Sequence, residues 1–147
     1  MAIGTFRDIR KIRKLFPNLN PSKAFEITSP ETPDYNCIAW AANDVTRWWE
    51  PTRYWPPGVP RQYTESAYIG AFESLRYKKC ESSEIEPGYE KVVLFLKDGR
   101  PKHMARQLED GRWASKLGGL WDIEHISVAG LNGIEYGEAL IFMRRAI

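Results

Sequence analysis

Thiol and imidazole chemistry in this 147-residue chain rests on two cysteines, Cys37 and Cys80, and two histidines, His103 and His125. Cys37 has the more suggestive setting. It follows the turn-like run Ser29-Pro30-Glu31-Thr32-Pro33-Asp34 and heads the Ala-rich segment Cys37-Ile38-Ala39-Trp40-Ala41-Ala42. Asp34 or Asn36 suits an N-cap, and Ile38, Ala41, Ala42 and Val45 recur at helical spacing. A thiol in a first helical turn meets unpaired N–H groups, which predicts a lowered pKa and a populated thiolate. Cys80 lacks such a context and reads as inert.

A thiol nucleophile needs a base that takes its proton and returns it to a leaving group. His103 opens the alternating stretch Lys102-His103-Met104-Ala105-Arg106-Gln107-Leu108, a rigid strand setting that suits a base, and His125 lies on a later extended piece. A third group would hold the imidazole in its working tautomer. Ser115, His125, Asp122 and Glu124 are all open for that role. For the oxyanion, the Cys37 N–H would be joined by a second donor from Asn36, Tyr35 or the Trp-rich loop.

The elements that must position these groups form an α+β plan, with helices first and an antiparallel sheet after. A helix is predicted over about Phe6–Phe16, with Arg and Lys on its outer side, ended by Pro17-Asn18-Leu19-Asn20-Pro21. Phe25–Thr28 reads as a short extended piece. The cysteine helix is expected to run to about Trp49, before Pro51. The Trp- and Pro-dense loop Trp48–Pro60 is either a lid on the core or a groove wall, so Trp49 and Trp55, with Tyr35, Asn36, Trp40 and Trp113, are the candidate substrate contacts. A further helix is predicted over Thr64–Leu75. A meander follows over Val92–Leu96, Lys102–Leu108 and Arg112–Ser115, with Asp98-Gly99 at the first turn and Ala139–Met143 as a last strand.

Composition narrows the partners. Hydrophobic content of 43% and charged content of 27% are those of a single globular domain, residues 1–147. A net charge of +2 without a long basic run does not point to nucleic acid. No stretch has the length or apolarity of a membrane span or signal peptide. The expected location is therefore the cytoplasm, or outside it by a route without a cleavable signal. No Gly-rich phosphate loop and no paired C-x-x-C or H-x-x-x-H spacing appears, so neither a cofactor nor a metal is expected.

Asn36-Cys37 opening a helix, followed by a strand led by His103, the turn Asp110-Gly111 and the strand Arg112-Trp113-Ala114-Ser115, resembles the papain-like cysteine hydrolases of the NlpC type. The likeness covers about residues 30 to 116. Asn-Cys-Ile-Ala-Trp-Ala with Trp113–Gly118 also resembles a group of small uncharacterised bacterial domains. The first resemblance implies a peptidase or amidase with Cys37 as nucleophile and His103 as base. A peptide or amide would be its substrate, cell-wall peptide included. Ser115 stands where that family carries a polar third residue, often histidine, and Ile38-Ala39 replaces its usual Ser-Gly after the cysteine. A chain of this kind could also be a toxin or lysis protein with an immunity-protein partner. The competing reading is a non-catalytic module that grips a peptide or protein through the loop Trp48–Trp55.

Overall fold

The structure is a computed structural model and describes residues 4–19 and 24–147. Helix α1 (Phe6–Leu15) starts at a capping box in which the Thr5 hydroxyl accepts from the Asp8 N–H and the Asp8 carboxylate accepts from the Thr5 N–H. Each bond satisfies an N–H that a helix start or its flank leaves open. Ile12 and Phe16 are buried, whereas Arg7, Arg10, Lys11 and Lys14 face solvent. A 3-10 turn over Pro17–Leu19 follows. Asn20 and Pro21, expected to complete the helix stop, lie outside the described residues.

Next come β1 (Phe25–Ser29), α2 (Cys37–Ala41), α3 (Glu65–Glu73), β2 (Lys78–Cys80), β3 (Tyr89–Lys97), β4 (Arg100–Gln107), β5 (Trp113–Lys116), β6 (Asp122–His125) and β7 (Glu138–Ala146). All seven strands form one antiparallel sheet in the order β1-β6-β5-β4-β3-β7-β2. The fold is therefore α+β. Its sheet is not wholly C-terminal, because β1 precedes the cysteine helix and closes the β6 edge. Asp98 and Gly99 both take positive φ, 52° and 75°, as a two-residue hairpin between right-twisted strands requires.

The continuous apolar run of β3 follows from its central place. Val92 and Leu94 pack into one core with α2 and α3, while Val93 and Phe95 pack into a second core with α1 and the strands beyond β4. A strand covered on both faces has no polar side to alternate with.

Helix α2 ends eight residues short of the expected Trp49. Ala42 caps it and Asn43 turns left-handed, at φ 63°. The Asp44 carboxylate then accepts from the Thr46 N–H and hydroxyl, the Arg47 guanidinium and the Trp49 indole N–H. Such side-chain bonds offer the backbone an alternative to the helical ladder. The freed segment folds back, and Trp49 and Trp55 sink into the first core at 4% and 1% exposure. The Trp/Pro loop thus packs on the core through Trp49 and Trp55 while its residues Trp48 and Glu50 line a pocket. α3 matches its expected span within two residues, with the Thr64 hydroxyl accepting from the Ala67 N–H as its N-cap. No helix among the described residues is long and apolar enough to cross a membrane.

Candidate active site

Strand register brings three side chains into one line. β4 pairs with β5 only at Arg106↔Ala114 and Gln107↔Trp113, so the strands part toward the start of β4. Side-chain bonds bridge the opening. His103 Nε2 lies 3.0 Å from Ser115 Oγ, and Ser115 Oγ lies 2.8 Å from His125 Nε2. His125 Nδ1 reaches the Ser127 carbonyl at 2.9 Å. Ser115 and His125, alternatives in the sequence, act in series here. Asp122 and Glu124 are engaged elsewhere, Asp122 with the Tyr35 hydroxyl at 2.6 Å and Glu124 with Arg112 at 2.8 Å.

The proton positions along this line follow from its far end. A carbonyl can only accept, so His125 Nδ1 carries the proton that reaches Ser127. Burial pushes His125 down to about 4, and burial, aided by the neighbouring His125, holds His103 well below 6.5, so both rings are neutral at pH 7. A neutral His125 then has a bare Nε2, which accepts the Ser115 hydroxyl proton. Ser115 Oγ has spent its only proton and accepts from His103 Nε2–H. His103 Nδ1 is therefore the unprotonated nitrogen, and it is buried with no hydrogen-bond partner. This is the tautomer in which Nδ1 can act as a base.

The ring is held by packing as well. Tyr136 lies flat on it, with centroids 4.1 Å apart and planes 4° apart, and Phe95 meets it edge-on at 5.1 Å. Tyr136 is set by a tight loop in which Gly133 and Gly137 exchange both backbone hydrogen bonds at 2.8 Å. A Cβ on Gly137 would stand 2.1 Å from the Leu96 carbonyl oxygen, and its φ is 72°, so glycine is required there.

Cys37 opens α2 directly behind its N-cap. Asn36 Oδ1 accepts from the N–H groups of Ala39 and Trp49, at 3.2 and 3.0 Å, and its Nδ2 donates to the Trp49 carbonyl at 2.9 Å. Asn36 thereby clamps the aromatic loop to the helix start. The Tyr35 hydroxyl spends its one proton on Asp122. Asn36, in contrast, lines the pocket beside Cys37 and keeps a second Nδ2 hydrogen without a partner among the described residues, so it stays a candidate second oxyanion donor. The backbone N–H groups of Met104, Ile38 and Cys37 itself lie on the sulfur's side and favour a thiolate, but none forms a hydrogen bond to it.

These donors lower the thiol pKa, but burial outweighs them and pushes it up to about 11. The expected thiolate at the helix start is corrected accordingly. A five-residue helix brings few open N–H groups, and a sulfur only 8% exposed loses more hydration than they return.

No hydrogen bond joins the sulfur to His103. Met104 points into the core that holds Cys37, while the His103 ring packs against the Phe95 and Tyr136 of the other core. His103 directly precedes Met104, whose backbone N–H favours the Cys37 thiolate. A pocket of about 320 Å³ opens beside them, lined by Cys37, Trp48 and Tyr136 among others.

The aromatic candidates divide. Trp48 lines the pocket, whereas Trp49, Trp55 and Trp113 are buried core residues that give up the expected substrate contact. Tyr35 and Trp40 stack on one another at 5.8 Å, and the Arg106 guanidinium covers Trp40 at 4.0 Å, away from the pocket. Cys80 sits on edge strand β2, three strands from β4. Glu50, Lys116 and Tyr136, which shape this region, were not singled out by sequence. The turn-like Asn132-Gly133 and Tyr136-Gly137 pairs are the one local hint of the loop that carries Tyr136.

A family model described as a domain of unknown function, DUF7689, matches residues 26–144. The chain belongs to the DUF7689 family. The match spans β1 through most of β7 and includes every residue of the histidine–serine–histidine line. No curated protein and no solved structure matches this DUF7689 chain.

The two neutral histidines make the DUF7689 domain acid-sensitive. Unfolded, each ring takes a proton near pH 6.5, while folded His125 resists until about 4. Acidification through that window protonates the unfolded chain preferentially, so stability is intact above 6.5 and falls by about 3 kcal/mol toward 4 from His125 alone. Urea unfolding midpoints at about pH 7.5 and 4.5 measure this, and equal midpoints would contradict neutral burial.

Proposed function

We propose that this domain is a thiol-dependent amide hydrolase or acyltransferase of papain-like, NlpC-type architecture. Cys37 is the nucleophile, His103 the base, and Ser115 with His125 the groups that keep Nδ1 bare. The observation that supports this reading most is His103 Nδ1, which is unprotonated, buried and unpartnered. It stands on the residue before Met104, which packs in the same core as Cys37. A purely structural imidazole would be expected to satisfy both nitrogens.

The raised thiol pKa favours a concerted route over a resting ion pair. As the sulfur attacks the carbonyl carbon, its proton is relayed to His103 Nδ1 and the carbonyl oxygen becomes an oxyanion. Nδ1 lies beyond hydrogen-bond reach of the resting sulfur, so a bound water or a side-chain shift must join the two. Collapse breaks the C–N bond, and the departing nitrogen takes the proton from His103. A thioester on Cys37 remains. Water, deprotonated by His103, then attacks it to release a carboxylic acid and restore the thiol, or another amine takes the acyl group instead. Peptides, including cell-wall peptides, are the substrate class that the NlpC resemblance suggests.

The test uses p-nitrophenyl acetate, small enough for the pocket. An acetyl group found on Cys37 by peptide mapping, with a burst of p-nitrophenol and no acetyl on Cys80, is the expected result. Acetylation that bypasses Cys37 contradicts the proposal.

A further inference from the structure

The pocket beside Cys37 also contains a carboxylate without a countercharge. Glu50 is half-buried, and its Oε2 accepts from the Tyr63 hydroxyl at 2.8 Å, with Thr52 Oγ1 3.1 Å from the same phenol. The backbone is fixed as well, since the Glu50 N–H donates to the Tyr54 carbonyl at 3.0 Å. No ion pair among the described residues includes Glu50, and no hydrogen bond among them reaches its Oε1.

Aromatic side chains share the pocket with this carboxylate, and the exposed Arg53 guanidinium lies over the Trp48 ring at 5.2 Å, a cation already drawn to this face. Trp48, Tyr63 and Tyr68 line the same pocket, and the Trp48 ring is held by its indole N–H, bonded to the Pro33 carbonyl. An anchored carboxylate beside aromatic faces is the chemistry that holds a cation, by charge-assisted hydrogen bonds and by the ring quadrupoles. Lys102 lines the pocket too, but its side chain is exposed, and a solvated ammonium is strongly screened. Among charged groups it is Glu50 that presses most on the Cys37 thiol, in the direction that disfavours a thiolate.

We infer that Glu50, with Trp48, Tyr63 and Tyr68, forms a subsite for a cationic group, an ammonium or guanidinium, carried by the acyl substrate near its scissile carbonyl. The inference rests on Cys37 as the reacting group and adds the charge of what reaches it. Occupancy also has a chemical consequence. A bound cation offsets the Glu50 charge and eases proton loss from Cys37, so the thiol is most reactive when the right substrate is seated.

The test compares two methanethiosulfonates on the full chain carrying Cys80→Ser. One bears a 2-(trimethylammonio)ethyl group and the other a 2-sulfonatoethyl group. Each forms a mixed disulfide with a thiol and releases methanesulfinate, and each rate at Cys37 is divided by that reagent's rate with 2-mercaptoethanol. The cationic reagent is expected to be favoured by roughly three- to tenfold, the effect of one charge a few ångströms away in a partly solvated pocket. Glu50→Gln should bring the ratio close to one. A starting ratio at or below one overturns the inference without recourse to any Glu50 variant, and so does a preference that survives Glu50→Gln. Because the ratio cancels the thiol's own reactivity, a Cys37 that never acylates would defeat the hydrolase reading and leave the cation subsite standing, whereas a ratio of one would do the reverse.

Discussion

Lys116→Met should lower the midpoint of thermal unfolding by roughly 10 °C, from a loss of about 3–5 kcal/mol. The Lys116 side chain is wholly buried, and its ammonium donates to the carbonyls of Thr32, Gly118 and Leu120. It also lies over the Tyr35 ring at 5.1 Å and stands opposite Asp122 across the β5–β6 ladder. Methionine has nearly the same length and shape, so packing is largely kept. What it cannot supply is the three hydrogen bonds or a charge to offset Asp122, which is 1% exposed and has one carboxylate oxygen already unpartnered. Each carbonyl left open in the interior costs about 1–3 kcal/mol on its own.

The consequence extends to the site. Thr32 belongs to the segment that delivers Asn36 and Cys37, so the buried amine fastens the approach to Cys37 to the strand that carries Ser115. Circular dichroism melting curves measure the loss. A midpoint within about 3 °C of the original would contradict this role for Lys116.

Features set by neighbouring residues were legible in the sequence. The Thr64 cap, the Asp98-Gly99 hairpin and the β3–β4–β5 meander each depend on a few adjacent residue types. Cys37 behind an Asn36 cap was legible for the same reason. Features decided by distant contacts were not. The helix period continues past Ala42, but one carboxylate, Asp44, gathers four donors and ends it.

Burial was the other hidden variable. The helix-start argument for a low Cys37 pKa was sound in direction for the N–H donors and failed on desolvation, which no local pattern reveals. Trp48 and Trp49 are adjacent and chemically identical, yet one lines the pocket and the other fills the core. Lys116 reads as an ordinary surface lysine until its three carbonyls are seen. Ser115 and His125 were both candidates as the third group. Only the register, with Trp113 opposite His125 and Ser115 opposite Ile123, shows that one hands on to the other.

The largest expected effect on chemistry belongs to His103. In the proposed reaction its Nδ1 takes the thiol proton from a group whose pKa burial has pushed up to about 11, so without a base almost no thiolate is present at neutral pH. Positioned general-base catalysis is worth about 10²–10⁴-fold. Replacing Ser115 should do less, because the imidazole stays and only the constraint on its tautomer is lost, so Ser115→Ala is the milder control.

The deciding measurement is the rate of Cys37 acetylation by p-nitrophenyl acetate near pH 7.5, read by mass spectrometry in the Cys80→Ser background, for the parent chain and for His103→Gln. Glutamine fills much of the ring's volume between Tyr136 and Phe95, and circular dichroism confirms that the variant is folded. A drop of about 100-fold or more is the predicted result. Equal rates in the two folded proteins would show that the imidazole and the sulfur do not work together.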